Sequence, residues 1–118
     1  MKIKVIIKKP EDEFGRLVEV ENTLRTFQHI VGGYIETTGY EGLVIIYNEE
    51  GKLRELQPNV VLGREMLVGT IIVCGASGYE FSDIPIDFKK WEQIVNMSGT
   101  RVWKYAEGEQ MELEGVET

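Results

Sequence analysis

One cysteine, one histidine and three prolines are all that 118 residues contain of those types, and each scarcity removes possibilities. A lone Cys74 cannot close an internal disulfide, which points to a reducing, intracellular setting. It lies in the apolar run MLVGTIIVCG, where a small buried hydrophobe is the favoured reading over a nucleophile. His29 and Cys74 stand 45 residues apart, which is thin support for a Cys–His nucleophile. A lone histidine with a lone cysteine makes no zinc cluster. No apolar stretch approaches the ~20 residues that cross a bilayer. The opening MKIKVIIKKP has too short an apolar centre for a signal peptide, and Lys4 interrupts it. The expectation is a cytoplasmic protein with no membrane partner.

Positive charge is also scarce. Thirteen Lys and Arg face twenty Asp and Glu, for a net charge of −7. Five of those glutamates fall in AEGEQMELEGVET, which holds no Lys or Arg, so the rest of the chain carries −2. There is no basic field for a phosphate backbone, which argues against duplex nucleic acid as a partner. The motifs of phosphate loops, dinucleotide folds, zinc proteases and serine hydrolases are missing as well. The acidic groups Glu11–Glu13 and Glu49–Glu50 read as solvated turn residues rather than acid–base pairs. These gaps point to a protein that is not an enzyme and carries no cofactor.

What is present is alternation and amphipathic rhythm. KIKVIIK reads as a half-buried strand whose lysines suit an edge. RLVEVE follows as its hairpin partner. Leu24, Phe27, Ile30 and Val31 form a stripe at spacings of three and four, capped by Asn22 or Thr23. The glycine pair of HIVGGYIETTGY comes after that helix, at its negative pole, so it reads as a helix stop and not as a phosphate cradle. LVIIYN (43–48) is expected to be a central strand, NEEG a turn and KLREL its returning partner. The main central strand is placed at Leu67–Cys74, with Gly63 and Gly69 marking bends. Ser82 or Asp83 is expected to cap a second helix with Pro85 in its first turn and Phe88, Trp91, Ile94 and Val95 on its stripe. TRVWKY (100–105) reads as a closing strand. The sum is an α+β domain over 1–105, with a mostly antiparallel sheet of about six strands covered by two amphipathic helices near 23–31 and 85–97. Residues 106–118 are expected to be a mobile acidic tail. The large aromatics and the need of the strands for partners predict a homo-oligomer.

Binding residues are easier to find than catalytic ones. In GASGYEF, small residues beside Tyr79 and Phe81 would let a base stack on a ring. Arg25, Arg64 and Arg101 could hold phosphates bidentately, with Trp103 beside Arg101. The competing reading gives the aromatics to the core or to an oligomer interface and leaves the arginines solvated.

The segments LRTFQHIVGGYIE, YNEEGKL, QPN and VGTIIVCG, in that order, resemble a small family of unknown function carried by phages, prophages and plasmids. The general plan is also similar to the Thoeris anti-defence sponges, which bind cyclic ADP-ribose isomers. These resemblances imply a phage-type anti-defence protein acting in the host cytoplasm. It would sequester a small cyclic nucleotide without cleaving it. The rival implication is an acidic protein–protein inhibitor that mimics nucleic acid. The likeness transfers no catalytic residue.

Overall fold

The computed structural model describes residues 1–99. Along the chain come β1 (Lys2–Lys8), β2 (Arg16–Glu21), α1 (Leu24–Val31), β3 (Ile35–Tyr40), β4 (Leu43–Asn48), β5 (Pro58–Leu62), β6 (Glu65–Val68), β7 (Ile71–Ser77), β8 (Glu80–Ser82) and α2 (Phe88–Ile94), with a π-helical turn over Val95–Gly99. The main sheet has the order β2-β1-β7-β4-β3, and β8 pairs with the end of β7. β5 and β6 form a separate two-stranded sheet. Every pairing is antiparallel. This is the expected α+β architecture.

The sheet is buried on both faces, which explains why β4 and β7 read as unbroken apolar runs. On one face Ile6, Ile45, Ile71 and Val73 pack with Val60 and Leu67 of the small sheet and with Trp91 of α2. On the other, Ile3, Val5, Ile46, Ile72 and Cys74 pack with Phe27 and Val31 of α1. Each buried aliphatic side chain contributes about 1.5–3 kcal/mol relative to exposure. One helix therefore covers one face. The opposite face is covered jointly by α2 and the β5–β6 hairpin.

Both glycines of HIVGGYIETTGY have a physical reason. Thr23 caps α1, its hydroxyl accepting from the Thr26 N–H at 3.2 Å. Gly32 stops the helix at φ +81, and its N–H donates to the Gln28 carbonyl at 2.8 Å. At Gly33 an added Cβ would sit 2.9 Å from the Asn48 amide nitrogen. That amide is buried and donates to the Val31 carbonyl at 3.1 Å, tying the helix end to β4. Leu24 departs from its stripe: it is 58% exposed, while Phe27 and Val31 are buried.

Several element assignments differ from expectation. β1 is not an edge, since β2 and β3 hold the edges, and Lys8 points inward. KLREL does not return as a strand. Residues 49–55 form turns, with Arg54 N–H donating to the Glu50 carbonyl at 2.9 Å and Leu56 N–H to Gly51 at 2.9 Å. The Asn48 side chain starts this winding by accepting from the Glu50 N–H at 2.8 Å. The run around Leu67–Cys74 is two strands rather than one. Gly69, at φ +74, bends the chain between β6 and β7, and its N–H donates to the Gln57 carbonyl at 2.7 Å. GASGYEF is a hairpin and not a loop, because Glu80–Ser82 pair back onto Gly75–Ser77. The cap of α2 is Asp87, whose carboxylate accepts from the Lys90 N–H at 2.9 Å. Asp83 cannot serve there because its carboxylate accepts from the Lys4 N–H at 2.8 Å. The expected strand 100–105 and the tail 106–118 lie outside the described residues.

Candidate ligand-binding site

The β1–β2 connection is a shaped turn. Asp12 closes it twice: its carboxylate accepts from the Lys9 N–H at 2.9 Å, and its own N–H donates to the Lys9 carbonyl at 3.0 Å. Gly15, at φ +87, lets the chain re-enter the sheet. A Cβ there would run into the Ile7 carbonyl oxygen and come within 2.8 Å of the Lys8 Cα. Between them, Phe14 offers its carbonyl to the indole N–H of buried Trp91 at 2.8 Å. This bond fixes the turn against α2. The result is a cavity of about 360 Å³ walled by Phe14, Phe88, Lys9, Arg16, Asp12 and Glu13. Its size lies at the small end of ligand sites. Its chemistry is mixed: two cations able to meet a phosphate, two carboxylates and two aromatic rings.

The residues singled out in the sequence do not gather around this cavity. Arg25 is exposed on α1. Phe81 lies on the α1 side of the sheet, edge-on to Phe27 with ring centroids 5.2 Å apart at 84°. Tyr79 is fully exposed at the β7–β8 turn. Arg64 is exposed at the β5–β6 turn, in the layer on the opposite face from α1. The two arginines are thus separated by the sheet. Arg101 and Trp103 lie outside the described residues. Lys9, Phe14 and Arg16 are not among the binding residues that the sequence suggests, and Phe88 reads there only as part of the helical stripe. Lys9 and Arg16 flank PEDEFG, where a tight turn with a cation on each side was legible. That Phe88 closes the cavity was not, because it depends on how α2 packs.

A second polar feature lies below the neighbouring β5–β6 hairpin. Lys8 is 3% exposed, and its ammonium donates to the Asn59 side-chain oxygen at 2.8 Å. The Asn59 amide donates in turn to the Lys8 carbonyl at 2.9 Å and the Gly69 carbonyl at 2.8 Å. Burial pulls the Lys8 pKa from 10.5 down to about 8, against the opposing pull of Asp12 and Glu11. Below pH 8 the ammonium is charged in both the folded and unfolded chain, and its burial cost is felt in full. Above pH 8 the folded chain releases the proton first, so stability rises with pH until about 10.5. Cys74, pushed up to about 12 by burial, acts oppositely from pH 9, where the unfolded thiol ionises and the folded one does not. Stability is therefore expected to rise by about 1 kcal/mol between pH 7 and 9. Urea titrations of the protein and of Lys8→Met check this; an equal rise in both would show that Lys8 is not its source.

Fold and cavity define a small antiparallel α+β domain with an open, mixed-charge cavity beside its first hairpin turn. Among the described residues, no helix is long and apolar enough to cross a membrane. The chain belongs to the family described as domain of unknown function DUF3846, which matches residues 1–97. No curated protein and no solved structure matches it.

Proposed function

We propose that the protein binds a small cyclic nucleotide, of the cyclic ADP-ribose type, and holds it without cleavage, acting as a phage-type sponge against a nucleotide-signalled host defence. The observation that supports this reading is the cavity of Lys9, Phe14, Arg16 and Phe88. A nucleotide needs cations for its phosphates, an acceptor for ribose hydroxyls and an apolar face for its base. Arg16 and Lys9, Glu13, and the phenyl rings supply these in that order. The reading asks for affinity and no turnover, so no proton-transfer group is needed.

The test is to mix the protein with cyclic ADP-ribose isomers and with cyclic di- and trinucleotides, remove free ligand, heat-denature and identify what is released by mass spectrometry. Intact nucleotide is the expected product. A cleaved product would make the protein an enzyme, and no retained nucleotide would end the proposal. Arg16→Ala is expected to weaken retention roughly tenfold, as for the loss of one charge-assisted contact. If Arg25→Ala or Arg64→Ala weakens it instead, the ligand lies elsewhere on the protein.

A further inference from the structure

Among the described residues, eight large apolar side chains are exposed; one of them, Met66, lines a seam, and two others, Leu53 and Tyr34, belong to residues that adjoin its lining. The seam lies where β3 and β4, on one lateral side of the main sheet, meet β6 of the small sheet. Met66 is 43% exposed and lines a cavity of about 200 Å³ there. Leu53, 85% exposed, follows Lys52 of the same lining. Tyr34, 70% exposed, accepts through its carbonyl the N–H of the lining residue Glu49 at 2.8 Å. Met66, with Leu53 next to the Lys52–Glu65 pair that adjoins it, gives the seam the exposed apolar component that a docking surface needs.

The charge at this seam selects the partner. Glu36, Glu49 and Glu65 line the cavity against a single cation, Lys52. Lys52 stands 4.0 Å from Glu65, with both side chains largely in solvent, so the pair is weak. Glu36 and Glu49 form no ion pair among the described residues, and Arg54, beside Leu53, turns its guanidinium to the Gly32 carbonyl at 3.2 Å. Burial, with Glu36 and Glu65 nearby, pushes the Tyr47 phenol up, in keeping with a negative local field.

We infer that this seam docks a cationic amphipathic segment of a second protein, its Lys or Arg side chains meeting Glu36 and Glu65 and its aliphatic side chains covering Leu53 and Met66. The surface is independent of the nucleotide cavity, which lies beyond β1 on the opposite lateral side of the sheet. Each can fail without the other. Opposite charges steer such an encounter, and the apolar contacts hold it.

The experiment uses the full chain and a short amphipathic peptide of Lys and Leu, with oligolysine of equal length as control. Amide chemical shifts are followed by NMR. Shifts are expected to centre on Tyr34–Glu36, Tyr47–Leu53 and Glu65–Met66. Leu53→Ser and the double variant Glu36→Gln/Glu65→Gln are each expected to weaken binding roughly tenfold, by loss of one buried aliphatic side chain and of the attracting charge. These groups are exposed or line open space, so the variants keep the fold. Equal binding of oligolysine with shifts spread over the surface would overturn the inference, since charge alone would then act. Shifts centred elsewhere, or affinity unmoved in both variants, would overturn it too. Self-association in sedimentation that protects the same residues would assign the surface to a second copy instead.

Discussion

Replacing Asn59 by Ala is expected to cost about 3–5 kcal/mol of stability. The substitution removes three hydrogen bonds at once, from the Lys8 ammonium and to the Lys8 and Gly69 carbonyls. Most of the cost comes from what remains. The Lys8 amine would stay buried without its side-chain acceptor, as a less well paired ammonium or as a neutral amine, and the Lys8 and Gly69 carbonyls would lose their donor. A domain with a total stability of about 5–15 kcal/mol would lose a large share of it. The sign of the explanation is testable in the same series. If the stranded charge dominates, Lys8→Met combined with Asn59→Leu should recover most of the loss, because an apolar pair of similar volume leaves no charge behind. Urea midpoints of the protein, Lys8→Met, Asn59→Leu and the double variant form the cycle. Simple additivity would show that Lys8 and Asn59 do not act as a unit.

Trp91→Ala is expected to have an effect of similar size for a different reason. The indole is fully buried between the sheet and the small hairpin, and its N–H holds the Phe14 carbonyl. Truncation leaves a large cavity, at a cost of about 3–5 kcal/mol. It also releases the β1–β2 turn from α2, and with it the two aromatic walls, Phe14 and Phe88, of the proposed nucleotide site. Trp91→Phe separates these effects. It keeps most of the buried ring and loses the hydrogen bond, at a cost of about 1–2 kcal/mol. The Phe variant is expected to remain folded by circular dichroism yet retain less nucleotide than the parent. Unchanged retention in a folded Trp91→Phe would mean that the Phe14 turn needs no anchor. An unchanged urea midpoint in Trp91→Ala would contradict the packing itself.

The amino-acid sequence by itself determined the elements whose signals are local. A cap at Asn22 or Thr23 and the glycine stop are read within a few residues, because an αL backbone and a capping oxygen act at short range. Alternation in β1 and β2, and the unbroken runs of β4 and β7, announced strands because burial on one or two faces writes directly into the spacing of apolar residues. The burial of Cys74 followed from its neighbours.

Tertiary structure decided what depends on partners distant in the chain. Asp83 has the chemistry of a helix cap, but the Lys4 N–H, 79 residues away, claims its carboxylate, so Asp87 caps α2. Lys8 fits the alternating pattern of outward lysines until Asn59, 51 residues on, supplies its side-chain acceptor and makes it a buried one. KLREL has a strand's composition, yet Asn48 winds the preceding residues into turns. The candidate site divides in the same way. The turn flanked by Lys9 and Arg16 is local, whereas its aromatic wall exists only because Trp91 fastens α2 to Phe14. Arg25 and Arg64 are each plausible phosphate ligands as residues. Only the fold shows the sheet between them, since spacing along a chain carries no information about which face a distant layer covers.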